Sequence, residues 1–351
     1  MNIAPMGFFL HPKSAAVAFL AVVVSVLIVR RVLLPRKQGK KQHHPVGGTI
    51  FDQLINFSRL HDYMTDLAAK HKTYRLIAPF RSEVYTSDPA NVEYILKTKF
   101  DNYGKGWYNY SILNDLLGDG IFTVDGDKWR AQRKVSSHEF SARAIRDVSA
   151  VVFKKNAVKL ADIVTEAVVS NQPIDIQMHP EKEDVLSRFL QLSEANPKYL
   201  RDIILNFVMA GKDTTATTLS WFFYILCKNQ LVQEKAAQEI KEATASNQAA
   251  DMSEFAASVS EEALEKMHYL HAAVTETLRL YPPVPAAGPR ICLGKEFAYR
   301  QMKIFSAVLL RFFVFKLSDE SKAVKYRTMI NLHVDGGLSV VAFDRSDDGS
   351  E

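Results

Sequence analysis

The sequence predicts a mainly α protein with small β-sheets behind an N-terminal membrane anchor. Three observations lead to this fold class. Apolar residues recur at helical spacing over long stretches, most extensively from Leu200 to Cys227, where they would form the buried face of one long helix. Short alternating segments flanked by turn residues are confined to two regions, which predicts small sheets. An apolar run followed by a basic cluster lies near the N-terminus, as is typical of an uncleaved anchor.

The composition is that of a globular domain and excludes several classes of protein. Of the 351 residues, 47% are hydrophobic and 24% are charged, which are ordinary values for a domain with a substantial core. The two cysteines, Cys227 and Cys292, are too few for a disulfide framework and indicate a reducing compartment. The formal net charge of +5 depends on six Lys and Arg residues between positions 30 and 41, so we expect no nucleic-acid partner.

The predicted anchor comprises residues 1–34. Its apolar run from residue 15 to residue 29 is interrupted only by Ser25 and is shorter than the roughly 20 residues of a membrane span. Extended to Leu34, with the two arginines at 30 and 31 snorkelling to the interface, it can cross a bilayer. A cleaved signal peptide would carry its positive charges before the apolar run, where the sequence has only Lys13.

This charge distribution predicts a single-pass anchor in the endoplasmic reticulum membrane, in contact with lipid, with the rest of the chain in the cytosol. Residues 35–48 would form a basic, proline-containing linker. Residues 49–345 would form one helix-rich domain, and residues 346–351 a polar tail.

Within the domain the elements are predicted in chain order. The segments 74–80 and 82–87 alternate well enough for a hairpin, and Asp88-Pro89 predicts the start of a helix. The segments 329–334 and 338–343, joined at Asp335-Gly336-Gly337, predict a second hairpin. Helices are expected at residues 89–98, 127–140, 142–169, 200–227, 231–245, 260–280 and 293–313.

Cys292 lies in the loop Gly288-Pro289-Arg290-Ile291-Cys292-Leu293-Gly294, directly before a predicted helix. Gly288 and Gly294 allow positive φ and a close approach of the backbone to a large flat ligand, and Arg290 offers a fork of donors for a carboxylate. The dipole of the following helix favours a thiolate at the sulfur. Cys292 is therefore a candidate axial ligand of a haem iron. The alternative is a buried free cysteine near the start of a helix.

A second candidate site lies inside the long helix, at Ala210-Gly211-Lys212-Asp213-Thr214-Thr215. Glycine costs about 1 kcal/mol in a helix relative to alanine, and threonine hydroxyls can bond back to carbonyls and bend the helix. Such a bend would open a groove beside a flat ligand, where Asp213 and Thr214 could pass protons to oxygen. The alternative is a flexible kink with a solvated aspartate.

Two further pairs are spaced for contact on helices. Glu276 and Arg279 are three residues apart, and their apolar neighbours predict a half-buried pair that organises the core. Trp129 and Arg133 are four residues apart and could line the edge of a ligand that carries carboxylates. The same two residues could equally form a surface cation–π contact.

Taken in order, these motifs resemble the signatures of the cytochrome P-450 superfamily of haem-thiolate monooxygenases. They are Trp-x-x-x-Arg, Ala-Gly-x-Asp-Thr-Thr, Glu-x-x-Arg and Gly-x-Arg-x-Cys-x-Gly. The residues around them, at 213–222 and 297–303, are similar to the plant fatty-acid ω-hydroxylases. The resemblance implies an axial haem thiolate at Cys292, haem-propionate contacts at Trp129, Arg133 and Arg290, oxygen activation at Asp213 and Thr214, and a structural pair at Glu276 and Arg279.

The resemblance also implies a P-450-like fold and a reaction. The haem would activate O2 for the hydroxylation of a medium- or long-chain fatty acid at its ω-position. Electrons would come from a membrane-bound, NADPH-dependent flavoprotein reductase that docks on the face carrying Cys292.

The chain departs from the family pattern near residues 178–183 and 285–288, so we expect an internally shortened, incomplete form of the fold. Only eight residues separate Arg279 from Gly288, where the family has strands, a short helix and a meander. Pro285 stands where the family usually has a phenylalanine. Two hypotheses follow. One is a fatty-acid monooxygenase, and the other is a non-catalytic, membrane-anchored short form or interaction protein that is unable to hold haem.

Overall fold

The structure is a computed structural model that describes residues 24–25, 44–78, 81–140, 150–177, 197–244, 251–285 and 292–345. They belong to two compact units, one extending to Asn91 and one beginning at Val92, and each is described by itself. The predicted anchor lies outside the described residues, apart from Val24 and Ser25. Among the described helices, none has both the length and the apolar composition required to cross a membrane.

The first unit is built on a three-stranded sheet. Strand β1 (Val46–Thr49) pairs in parallel with β2 (Thr73–Ile77), which pairs antiparallel with β3 (Ser82–Thr86). The predicted hairpin of β2 and β3 is therefore confirmed. Helices α1 (Ile50–Ile55) and α2 (Leu60–Lys70), which the sequence did not predict, connect β1 to β2. The small core of this unit consists of Leu67, Tyr74 and Leu76.

The later elements are mostly helical, and the sequence predicted the longer ones. The helices expected at 89–98, 127–140, 200–227, 231–245 and 293–313 are confirmed to within a few residues, and the one at 142–169 is confirmed over its described part. In chain order the elements are α3 (Pro89–Glu93, continued by a π-helical turn at Tyr94–Thr98), α4 (Gly106–Leu117), α5 (Gly126–Glu139), α6 (Ala150–Val169), β4 (Ile174–Asp175), α7 (Pro197–Lys228), α8 (Gln230–Thr244), α9 (Met252–Ser258), α10 (Glu261–Lys266), α11 (His268–Leu280), α12 (Lys295–Phe312), β5 (Phe313–Leu317) and β6 (Ser339–Asp344).

The predicted helix at 260–280 is wrong as a single element. It is divided into α10 and α11 at Met267, whose φ of −77° and ψ of 70° are not helical. The Glu239 carboxylate on α8 accepts hydrogen bonds from the backbone N–H groups of Tyr269 and Leu270, at 2.7 and 2.8 Å. A side chain from a neighbouring helix therefore caps the start of α11. This cap, together with the complete burial of Met267, overrides the continuous apolar pattern.

The predicted C-terminal hairpin is wrong in its first strand. Residues 329–334 take part in a single bridge, between Tyr326 and Val334. Strand β6 pairs instead with β5 on one side and β4 on the other, and both pairings are antiparallel. The turn itself is confirmed, because Gly336 and Gly337 have φ of +76° and +79°, which glycine adopts without strain.

The core of the second unit explains why residues 329–334 do not form a strand. The N–H of Leu332 donates to the carbonyl of Pro283 at 2.9 Å, and its carbonyl accepts from the Trp221 indole on α7 at 2.6 Å. The Trp221 ring also stacks on Tyr281, with 4.1 Å between ring centroids. The segment therefore packs along α7. The centre of the core has side chains that are 1% exposed or less, among them Phe222, Phe223, Ile304, Phe313 and Phe315.

Candidate functional site

Three of the motif-bearing elements meet around one aromatic side chain, Phe140, which directly follows α5. Its ring centroid lies 5.3 Å from that of Phe207 on α7 and 6.0 Å from that of Phe297 on α12. A Cβ atom placed on Gly294 would lie 3.5 Å from the Phe140 ring, so the loop of Cys292 packs against the same side chain. The structure thus brings α5, α7 and the start of α12 into one place.

Cys292 lies three residues before the first residue of α12, and its side chain is exposed. Gly294, the N-cap residue, has a φ of −86°. Gly294 does not use the positive φ that glycine allows, because it leads into the first turn of a helix and does not reverse the chain. Gly288 and Arg290 lie outside the described residues. An exposed thiol beside the N-terminal end of a helix dipole is available as a metal ligand.

Cys227 is different from Cys292 in its surroundings. It lies near the end of α7, is 6% exposed and belongs to the core. Burial raises the pKa of its thiol to about 12, because an apolar environment disfavours the charged thiolate. Of the two cysteines, Cys292 alone presents an exposed side chain.

Trp129 and Arg133 contact each other on α5, as their spacing predicts. The guanidinium carbon of Arg133 lies 5.6 Å from the centre of the indole ring, and both residues are half-buried. The Nζ atom of Lys105 lies 5.7 Å from the same ring and donates a hydrogen bond to the Val124 carbonyl at 2.6 Å. Two cations beside one indole can receive carboxylates. Sequence reasoning missed Lys105, since no motif singles out this lysine.

Asp213 and Thr214 lie midway along α7, which continues without a break through Gly211. The Thr214 hydroxyl donates to the Ala210 carbonyl at 2.6 Å, which is the back-bond that the sequence predicts. The bend and the groove that it would open stay predictions, because an uninterrupted run of helical residues tests neither the bend nor the alternative of a flexible kink. Within the described part of the chain, the half-buried Asp213 carboxylate makes no hydrogen bond or ion pair. It is therefore free to act on a substrate or a solvent molecule.

Glu276 and Arg279 form a bidentate ion pair on α11, with N–O distances of 2.8 and 2.6 Å. The predicted burial of this pair is wrong, because the two side chains are 54% and 66% exposed. Helix α11 turns its opposite face, with Leu270, Val274 and Thr277, into the core. The hydrogen bonds from Arg279 lower the pKa of the Glu276 carboxyl. An exposed pair of this kind contributes little to stability.

Known proteins match the chain over nearly its whole length. The model of the cytochrome P450 family matches residues 39–179, 153–287 and 286–335. The chain belongs to the cytochrome P450 family. Its relatives include cytochrome P450 704C1 from Pinus taeda, which is 35% identical over 501 aligned positions that cover 92% of the chain and 96% of the relative. Cytochrome P450 704B1 from Arabidopsis thaliana is 30% identical over 524 positions, covering 93% and 100%, and cytochrome P450 94A2 from Vicia sativa is 24% identical over 477 positions, covering 86% and 91%.

This P450 is shorter than its relatives. The alignments extend over more positions than the 351 residues of the chain, so the relatives contain internal segments that the chain lacks. The family model matches the chain in three segments, and consecutive segments overlap at residues 153–179 and 286–287.

P450 monooxygenases hold haem through a cysteine thiolate and receive electrons from NADPH through a reductase. The described residues of this P450 fit such a group in their chemistry. Cys292 presents an exposed thiol, which suits an iron ligand. Lys105 and Arg133, beside Trp129, present cations that suit the two carboxylates of a haem.

Proposed function

We propose that the chain is a haem-dependent monooxygenase that hydroxylates medium- or long-chain fatty acids at the ω-position, with O2 and electrons from an NADPH-dependent flavoprotein reductase. The observation that carries this proposal is the packing of α5, α7 and the Cys292 loop around Phe140. The proposed thiolate ligand, carboxylate contacts and proton donors belong to these elements, so their contact supports the proposal.

In this proposal Cys292 would supply the thiolate ligand of the haem iron, and Trp129 and Arg133, together with Arg290, would hold the propionates. When bound, the haem supplies the activation of O2 for insertion into a C–H bond. The Cys292 thiolate would ligate the iron, and the Arg133 guanidinium on α5 would orient the haem by neutralising a carboxylate.

Asp213 and Thr214 are proposed to handle protons. Hydroxylation uses one O2 and two electrons from NADPH, places one oxygen atom in the C–H bond and releases the other as water. That water requires two protons, which the Asp213 carboxyl and the Thr214 hydroxyl can hold and deliver from α7. The half-buried position of both residues supports this role, because it limits access of bulk solvent.

A fatty-acid substrate is proposed on two grounds. Residues 213–222 and 297–303 are similar to the plant fatty-acid ω-hydroxylases. Helix α4 contacts α7, and Ile112 and Leu116 on α4 and Val208 on α7 are 57%, 54% and 41% exposed. These apolar side chains offer a surface for an acyl chain.

We also propose that residues 1–34 anchor the chain in the endoplasmic reticulum membrane with the domain in the cytosol. The apolar run and the basic cluster that follows it support this location. Carbonate washing of membranes from cells that express the full chain tests it. Retention in the pellet supports the anchor, and release into the supernatant contradicts it.

The exposed Glu276–Arg279 pair favours a second candidate, a non-catalytic short form that acts as an interaction protein. A pair that organises a core would be enclosed, whereas this one faces solvent. The chain also lacks internal segments that its relatives have. An incompletely enclosed site admits water and weakens the hold on a cofactor.

A carbon monoxide difference spectrum of the reduced membrane fraction distinguishes the two candidates. The monooxygenase gives a thiolate-type Soret band in the wild-type chain that Cys292→Ser abolishes. Absence of the band from well-expressed wild-type chain supports the short form. In chains that hold haem, Asp213→Asn should keep the band and lower product formation by about 10²-fold or more, whereas the exposed control Asp162→Asn should not. The position of the new hydroxyl, read by mass spectrometry, tests the ω-assignment.

A further inference from the structure

A polar cluster outside the recognised motifs is centred on Asp119, in the loop between α4 and α5. Its N–H donates to the Asp202 carboxylate on α7 at 2.9 Å, and its carbonyl accepts from the Gln132 amide on α5 at 2.6 Å. Its own carboxylate accepts from the Tyr110 hydroxyl on α4 and the Lys128 ammonium on α5, both at 2.7 Å. One residue thus joins three helices.

Asn206, one turn beyond Asp202 on α7, bonds to the last residue before this loop and to a residue within it. Its carbonyl oxygen accepts from the N–H of Phe122 at 3.1 Å, and its amide donates to the carbonyl of Leu117 at 2.8 Å. Asp202 is 2% exposed and Asn206 is completely buried. Buried polar side chains that bond to the backbone of a distant loop fix that loop in one position.

The two glycines of the loop leave space for the Asp202 and Asn206 side chains, because they have no Cβ atom. Gly118 has a φ of +54°, and a Cβ atom there would overlap the Asp202 carboxylate. A Cβ atom on Gly120 would overlap the Asn206 amide. Any larger residue at either position must displace α7 or the loop. The distance between the loop and α7 is therefore fixed by these glycines.

The cluster connects the two predicted haem-facing sites. Asp202, Asn206 and Asp213 are separated by four and seven residues and therefore share one face of α7, with Asn206 about 10 Å along the helix from Asp213. Gln132, which bonds to the loop, lies between Trp129 and Arg133 on α5. The hydrogen bonds thus connect the face of α7 that bears Asp213 to the part of α5 that bears Trp129 and Arg133.

We propose that Asp202 and Asn206 are positioning residues that hold the Trp129–Arg133 pair at a fixed distance from Asp213. The inference rests on the proposed haem-dependent function. A haem is rigid and flat, so the groups that hold its carboxylates and the groups that act on its oxygen side must keep a set separation. Asp202 and Asn206 act through the loop and touch no reacting atom.

The test compares Asn206→Ala with Ser220→Ala in the full chain. Ser220 is also buried on α7, but its hydroxyl bonds within the helix, to the Ala216 carbonyl. In Asn206→Ala we expect the amides of α5 to exchange with deuterium about tenfold faster or more, while those of α12 are unchanged. Ser220→Ala should not change exchange in α5. Unchanged exchange in α5 of Asn206→Ala would overturn the inference whether or not the chain holds haem.

The functional arm measures how fast haem is lost to a scavenging apoprotein. We expect about tenfold faster loss from Asn206→Ala than from Ser220→Ala when the two have equal melting temperatures. Equal rates would show a merely structural role and overturn the proposal. If Asn206→Ala does not fold, Gln132→Leu provides a milder variant, because it breaks only the bond from α5 to the loop. It should also accelerate deuterium exchange in α5 and the loss of haem. A wild-type chain without haem would contradict the proposed function but leave the exchange arm to decide on the positioning role.

Discussion

The two cysteines should react with iodoacetamide at very different rates. With a pKa of about 12, the Cys227 thiol is ionised in about one molecule in 10⁴ at pH 8, and only the thiolate reacts. Since Cys292 is exposed and Cys227 is 6% exposed, we expect Cys292 to react far faster than Cys227 in the haem-free chain.

Haem should remove this reactivity if Cys292 is the iron ligand. A time course at pH 8, with and without prior incubation with haem, is followed by mass spectrometry of the two cysteine-containing peptides. Cys227→Ser isolates the reaction of Cys292, and Cys292→Ser measures Cys227 alone. Comparable rates at the two cysteines would refute the reasoning about burial. Unprotected Cys292 in a chain that retains haem would refute its assignment as the ligand.

Three further predictions concern stability. Trp221→Phe should lower the free energy of unfolding by about 1–3 kcal/mol, measured by urea titration, because the buried Leu332 carbonyl loses its donor; an unchanged midpoint would show that this bond contributes nothing. Hydrogen bonds from Lys128 and then Tyr110 lower the pKa of Asp119, so its carboxylate stabilises the fold above about pH 3.8 and this contribution disappears as the pH falls through the lowered value. The Asp119 side chain is 34% exposed, so its contribution is small. Asp119→Asn should reduce the loss of unfolding free energy on acidification below pH 4 by less than about 1 kcal/mol. The same dependence of unfolding free energy on pH in the variant and the wild-type chain would contradict the assignment. Glu276→Gln should leave the melting temperature within error, since the pair that it breaks is exposed; a clear decrease would mean that the pair is enclosed in solution.

The length of an element largely decided whether the sequence could predict it. Helix α7 has 32 residues, so its apolar period is evident whatever surrounds it. Helix α1 has six residues, and Phe51 and Leu54 within it are 65% and 62% exposed. No division into apolar and polar faces marks so short a segment. Its capping box at Thr49 and Asp52 was the signal that sequence reasoning could have used.

Tertiary contacts account for the predictions that failed. Residues 329–334 have the alternation of a strand, but the backbone of Leu332 is bonded to Pro283 and Trp221. Residues 260–280 have the period of one helix, but the Glu239 carboxylate begins a new helix within them. Local patterns contain no information about such distant partners, because these bonds form only after the elements pack.

The candidate site likewise has residues that the sequence could predict and contacts that it could not. Residues such as Cys292 and Asp213 belong to short motifs and could be predicted one by one. The contacts of Asp119 and Leu117 with α7 join residues that are 83 and 89 positions apart. The Gly118-Asp119-Gly120 pattern is visible in the sequence, yet nothing in it specifies Asp202 and Asn206 as partners. Motifs therefore identified candidate groups, and the fold was needed to show what positions them.

The segments matched by the family model overlap at residues 153–179 and 286–287, and residues at or near both overlaps bond to one C-terminal segment of the chain. Gln177, within the first overlap, bonds to the His333 ring at 2.9 Å, and Pro283, shortly before the second, bonds to Leu332 at 2.9 Å. The same segment is bonded to Trp221 on α7. Both regions are thus tied to the helix that bears Asp213, so the absence of internal segments that the relatives contain is compatible with a packed, motif-bearing core. Because the core can persist in either case, stability cannot distinguish the monooxygenase from the short form, and only binding of haem by Cys292 can.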